Sequence, residues 1–229
     1  IYDKYGFERV DHLPYYNHIA GDKMAKEPRL AAISLCIGIH DAHPILKHKF
    51  TLEEWNVYTK HIKNNALVTS SIGRLFDGIA SLSGLIDVQS YEGQAAGILQ
   101  VQAEKHFNEE GIDYRKSYFK VDKNGQFVLE AMLVGVISDV LSKSDVSIIA
   151  AKFHVTLVDW IHHVAMKEGI KRIGFSGGVF QNTLLVDLIM YRLQDQYDLL
   201  FHNNLSPNDE NISFGQLINA EIQSKSAKE

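Results

Sequence analysis

Cysteine is nearly absent. Cys36 is the single one in 229 residues, so no disulfide can form within the chain, and a reducing, cytoplasmic setting is expected. It lies in the apolar run AAISLCIGI, where a small thiol reads as buried and inert. Long apolar runs are also missing. None approaches ~18 residues, which excludes a membrane span, and no leader pattern opens the chain. Basic charge is in deficit: 23 Lys and Arg against 28 Asp and Glu leave a net charge of -5, so the footprint of a nucleic-acid binder is absent. No GxxxxGK[ST] loop occurs, so this is not a P-loop protein. No two of the eleven histidines stand four apart. His40 and His43 are three apart and His162 and His163 are adjacent, so no self-contained histidine metal site is expected. The first residue is Ile1 rather than Met, which reads as a fragment or a processed chain.

What is present is ordinary globular material, 45% hydrophobic and 22% charged. GFERVDHLPYY alternates and is aromatic, as a strand or two would be. Pro28 suits a helix start, and the apolar stretch Leu30–Ile39 predicts a buried helix. Thr51 with Glu54 three positions on forms a capping box for the next helix. Leu75, Phe76, Ile79 and Leu82 keep helical spacing after Ser70 and Ser71. A further helix is expected from about Tyr91 to His106, which puts Glu92 in its first turn. Two alternating runs flank Asn124-Gly125 and predict a β-hairpin. Helices follow over about Ala131–Leu141 and Asp145–Lys167, the latter stopped by Gly169. The remainder alternates: strand Arg172–Phe175, helix Asn182–Leu193, strand Leu199–Phe201, helix Ile212–Ser226. That is an α/β pattern, with loops at the carboxyl ends of strands where open sheets place ligands.

Four loops carry candidate chemistry. In SGGVFQN, Gly177 and Gly178 follow a strand and Asn182 stands where a helix begins, either as its cap or as a ligand contact. The bland alternative is a tight turn. In SPNDENISFGQ, Asp209 and Glu210 are adjacent carboxylates. One could meet a hard cation, or the segment could be a solvated turn with an Asx cap. In TSSIGRLFD, Arg74 and Asp77 share a helix face and can pair. In SYEGQAA, Glu92 suits a helix start with or without a ligand.

Together, TSSIGRLFDGIASLSGL, SYEGQAA, SGGVFQN and SPNDENISFGQ, in that order, resemble the carboxyl-terminal module of the hydrogenase-maturation carbamoyltransferase family, and GFERVDHLPYYNHIAGDKMAKEP extends the likeness over nearly the whole chain. The resemblance implies an actin-like (ribonuclease H-like) ATPase fold, mainly one lobe, with a helical insertion. It places a helical part at about 30–110 and an α/β nucleotide-binding part at about 115–229. It implies an enzyme that uses carbamoyl phosphate and ATP, through carbamoyl-adenylate, to carbamoylate the C-terminal cysteine of a partner maturation protein on the way to hydrogenase cyanide ligands. It puts Gly177, Gly178 and Asn182 at the nucleotide loop, Asp77 at the nucleoside, and Glu92 and Gly93 facing the same pocket. Asp209 falls at a divalent-metal position (Zn, Fe or Mg). No catalytic residue is assigned by it, and neither nucleic acid nor membrane is implied as a partner. Two departures stand out. The family's metal histidines have no counterpart here, and Glu210-Asn211 replaces a glycine pair. A sibling O-carbamoyltransferase, a tRNA-modifying relative, and a fragment that only docks a partner remain as alternatives.

Overall fold

The computed structural model describes residues 1–3, 6–64 and 66–226. The chain divides into two compact units, Ile1–Val164 and Ala165–Glu229, each taken by itself.

The first unit is helical. Its helices are α1 (Lys23–Lys26), α2 (Pro28–Cys36), α3 (His43–Lys47), α4 (Leu52–Asn64), α5 (Ile72–Leu82), α6 (Gln94–Glu110), α7 (Leu129–Leu141) and most of α8 (Val146–Lys167). Small antiparallel pairs accompany them: β1 (Tyr2–Asp3) with β2 (Gly6–Phe7), and β3 (Tyr16–Asn17) with β4 (Val68–Thr69). Pro28 opens α2 as expected, but α2 ends at Cys36 rather than Ile39. Cys36 is fully buried, and burial pushes its thiol pKa up. The capping box forms in both directions: the Thr51 N–H donates to Glu54 Oε2 (3.0 Å) and the Glu54 N–H to Thr51 Oγ1 (3.2 Å). Glu54 also receives Arg29, whose guanidinium bridges Glu27 at 2.7 Å and Glu54 at 2.8 Å. That ties the start of α2 to the start of α4.

The core lies where α2 meets α5. Leu30, Ala31, Ala32 and Ile33 of α2 and Leu75, Phe76, Ile79 and Ala80 of α5 are all essentially without exposure. Phe76 then stacks edge-on against Phe153 of α8, with centroids 4.8 Å apart. His154 is entirely buried beside them, and burial pushes its imidazole down to about 4, so it is neutral at ordinary pH.

The expected hairpin is reduced to a single antiparallel bridge, Val121 to Phe127. Asp122 Oδ1 accepts the Asn124 and Gln126 amides, and Gly125 takes φ 72°. The turn is closed by the Gly125 N–H on the Asp122 carbonyl (3.0 Å), and the flanks keep two ladder bonds, Asp122 N–H to the Gln126 carbonyl and Val128 N–H to the Lys120 carbonyl, both 2.9 Å. Tyr118 is held from every side nearby. Its N–H donates to Thr156 Oγ1 (2.8 Å), its hydroxyl to Asp139 Oδ2 (2.6 Å), and the Lys152 ammonium sits 4.2 Å from its ring.

The second unit is a small α/β layer. β5 (Arg172–Gly174) pairs in parallel with β6 (Asp198–Leu200), joined through α9 (Thr183–Leu193) as a parallel pair requires. α9 buries Leu185, Leu188, Ile189 and Leu193. α10 (Ile212–Ser226) leaves Phe214, Leu217 and Ile222 exposed. No helix among the described residues is long and apolar enough to cross a membrane.

Gly135, inside α7, has no positive φ, but a Cβ there would stand 2.6 Å from Tyr118 Cδ1. Since Tyr118 cannot swing away, Gly135→Ala should destabilise the protein by about 1–2 kcal/mol: overpacking outweighs the gain in helix propensity. Urea unfolding of the variant checks this, and an unchanged or raised midpoint would contradict it.

Candidate functional site

Ser71 opens α5 by accepting the Arg74 N–H at its side chain (3.3 Å), while its carbonyl receives the Tyr16 hydroxyl at 2.7 Å. These bonds set the first turn, and Asp77 follows one turn later on the buried side. Asp77 is 2% exposed. Arg74 Nη1 lies 2.7 Å from its Oδ2, confirming the pairing expected from their spacing. The approach is off the N–H direction, so Oδ2 accepts no hydrogen bond. Burial is the larger influence and pushes the Asp77 carboxyl up to about 6, against the pull of Arg74 and Gln89 and with a smaller push from Glu92.

Gln89 carried no sequence signal, being one amide in a polar loop. It is buried, donates from Nε2 to the Ala25 carbonyl, and accepts the Ala95 N–H at 3.1 Å. It thereby caps α6 from a distance. Glu92 is not in the first turn of that helix as expected. It is exposed and precedes Gly93, whose φ of 83° is left-handed, so helical geometry begins only at Gln94. Asp77, Glu92 and Gly93 thus belong to one region of the first unit.

In the second unit, the β5–β6 register runs on past the strands. The Phe175 N–H donates to the Leu200 carbonyl (2.9 Å), and Phe175 stacks on Phe201 with centroids 4.6 Å apart. Gly177 adopts φ 108°, a conformation L side chains avoid, and its N–H donates to the Pro207 carbonyl at 2.6 Å. This bond fastens the glycine loop to the loop of Asp209. The helix starts from Asn182 as expected, and the glycines lead into it through a 3-10 turn, Gly178–Gln181. Asn182 then caps α9, its Oδ1 accepting the Leu185 N–H at 2.9 Å. Gly178 has neither positive φ nor any heavy atom within 4 Å of where a Cβ would lie.

Asp209 begins a 3-10 turn capped by Asn208, whose Oδ1 accepts the Glu210 N–H at 3.1 Å. Asp209 and Glu210 are both exposed. Among the described residues no three His, Cys, Asp or Glu side chains gather as a metal site would require.

The family model described as "Carbamoyltransferase, Kae1-like Domain, second subdomain" matches residues 1–216. A carbamoyltransferase HypF of Synechocystis sp. is 37% identical over 164 residues, covering 71% of this chain and 21% of its own. A probable carbamoyltransferase HypF of Methanocaldococcus jannaschii is 26% identical over 220 residues, covering 91% and 28%. The crystal structure of a full-length HypF in the phosphate- and nucleotide-bound form superposes with a TM-score of 0.81 at 27% identity, covering 98% of this chain and 30% of that one. The HypF of T. kodakarensis shares the fold, with a TM-score of 0.79 at 21% identity. The chain therefore spans less than a third of the length of each of these relatives, and its fold is α/β of the actin-like type.

Asp77 gives a test of the first-unit geometry. Its folded pKa of about 6 lies above the ~3.9 of an unfolded aspartate. Between those values the folded chain binds the extra proton, so stability should fall as pH rises from about 4 to 6 and then level off. Carboxyl carbon NMR should show Asp77 titrating near 6, and Arg74→Met should move it higher. A titration near 4 would refute the buried placement.

Proposed function

The chain belongs to the HypF carbamoyltransferase family, as its Kae1-like second subdomain, and from that premise we propose that its glycine loop binds the phosphates of ATP or of carbamoyl-adenylate. The whole enzyme would draw the carbamoyl group from carbamoyl phosphate. It would pass that group to the C-terminal cysteine of a hydrogenase-maturation partner. The observation that carries this reading is Gly178. Conformation explains Gly177, but neither conformation nor packing explains its neighbour. A glycine in the loop that follows a parallel strand, with open space beside it, fits the close approach of a ligand. The relative crystallised in its phosphate- and nucleotide-bound form, which covers 98% of this chain, supports the same reading.

The transfer itself needs no nucleophile from this chain. Cys36 is buried and its thiol is held protonated, so the attacking sulfur would come from the partner. What the residues here would contribute is positioning of the adenylate. A divalent metal fits these residues poorly. Asp209 offers a single exposed carboxylate, and a divalent ion needs about four to six ligands. Asp209 can serve as a metal ligand only beside others that this chain does not gather among its described residues.

Gly178→Ala should leave the unfolding midpoint within about 0.5 kcal/mol of the parent, because the Cβ meets nothing. It should weaken ATP binding by the full-length enzyme at least about tenfold and slow carbamoylation of the partner cysteine, read as the partner's mass gain. Unaltered affinity in a folded variant would sink the reading. The chain purified alone should hold well under one equivalent of metal by elemental analysis, and stoichiometric metal lost on Asp209→Ala would contradict this.

A further inference from the structure

Ser176 and His202 lie outside every role assigned above. Continuing the parallel register from Gly174 and Leu200 puts Phe175 opposite Phe201 and Ser176 opposite His202. Side chains alternate along a strand, so the two phenylalanines share one face and the serine and histidine share the other. Ser176 Oγ and His202 Nε2 are 3.0 Å apart, and both residues are exposed. They sit at the carboxyl edge of the pair, with Ser176 immediately before the strained Gly177.

Two simpler roles fit the pair less well. The first is a nucleophile and base. That would need a third group orienting the far ring nitrogen, and among the described residues no hydrogen bond to His202 Nδ1 is formed. The second is a mere latch between strands. The amino edge of the same pair already has one, the Arg172–Asp198 ion pair at 2.6 Å, and Phe175–Phe201 stacking and the Phe175 N–H bond hold the carboxyl edge. A solvent-exposed hydrogen bond adds little holding power there.

We propose that Ser176 is a phosphate-binding residue and that His202 positions its hydroxyl. With the His202 proton on Nε2, the ring donates to Ser176 Oγ. The serine's own proton is then turned outward, toward a phosphate oxygen at the neighbouring glycines. A hydroxyl aimed in this way meets the ligand without reorganising, and a hydrogen bond to a charged acceptor is stronger than one between neutral groups. The idea deepens the nucleotide reading and rests on it, adding two side chains to the backbone glycines through which that reading was argued.

The test titrates the full chain with ATP, adenosine and inorganic tripolyphosphate, following imidazole and amide signals by NMR. ATP and tripolyphosphate should perturb the His202 ring and the Gly177 and Gly178 amides, while adenosine should leave the ring unmoved. Ser176→Ala and His202→Leu should each weaken the two phosphate ligands by roughly ten- to a hundredfold. His202→Gln, whose amide nitrogen can replace Nε2 as donor to the serine, should recover most of that loss. A latch would show no split between phosphate-bearing and phosphate-free ligands. If Gly178→Ala abolishes ATP binding while Ser176→Ala and His202→Leu leave it intact, the proposal falls and the nucleotide reading stands. If no ligand moves any of these signals, both fall.

Discussion

The closest constraint in the first unit is the distance between the backbones of α2 and α5. A Cβ at Gly78 would stand 2.5 Å from Leu35 Cδ1 and 3.4 Å from main-chain atoms of Ala31 and Ala32. Small residues on both helices let their axes approach, and interiors packed at this density transmit a shift in one element to its neighbours. The consequences run outward along α5. Asp77 precedes Gly78, so its carboxylate is carried into the interior by the same approach. Phe76 is turned onto Phe153 and His154, which fixes α8. Ser81 donates to Asp87 (2.7 Å), which also receives Lys49, and this sets the exit from the helix.

The buried ion contact at Asp77 is thus a consequence of helix packing, and its imperfection is informative. Arg74 comes within 2.7 Å without aligning a donor. Burial raises the pKa of a charge so placed, and the nearby Arg74 lowers it by less than burial raises it. The Glu27–Arg29–Glu54 cluster shows the contrast. There the bonds are directed and the carboxylate of Glu54 is held down at about 2. Two acidic groups in one unit thus shift in opposite directions: burial dominates at Asp77 and the directed bonds from Arg29 dominate at Glu54.

How far the sequence could be read depended on whether the deciding interaction was local. The capping box at Thr51 and Glu54, Pro28 at a helix start, Ser71 ahead of α5, the stop at Gly169 and the strand–helix order of the second unit all follow from residues within a turn of one another, and each forms. The failures were set by interactions the local pattern does not contain. The hairpin at Asn124-Gly125 forms but stays short, because Asp122 Oδ1 draws the Asn124 and Gln126 amides into the turn. Gln89, six residues upstream, supplies the bond that lets α6 begin at Gln94 after a left-handed Gly93, leaving Glu92 outside. Of the candidate site, the motifs were legible as glycine and carboxylate loops. Their mutual arrangement was not, because the Gly177–Pro207 bond joins segments thirty residues apart.

Parallel pairing explains why those segments meet at all. Two antiparallel strands would send the loops after them to opposite edges. A parallel pair joined by a crossover helix puts both carboxyl ends on one edge, so whatever follows each strand shares that edge. SGGVFQN follows β5 and the Asp209 loop follows β6, and the register alone therefore commits them to one surface. Burial patterns along both strands leave only the central residue, Ile173 or Leu199, partly covered, so little of the pair's stability comes from its own faces. The edge is held instead by contacts beyond the strands: Phe175 to Leu200, Phe175 on Phe201 and Gly177 to Pro207. Order in this layer is concentrated past the carboxyl ends, in the residues that do not belong to the sheet. The strands keep their own register and the Arg172–Asp198 pair at their start, and the bonds past their ends fix the two loops to each other.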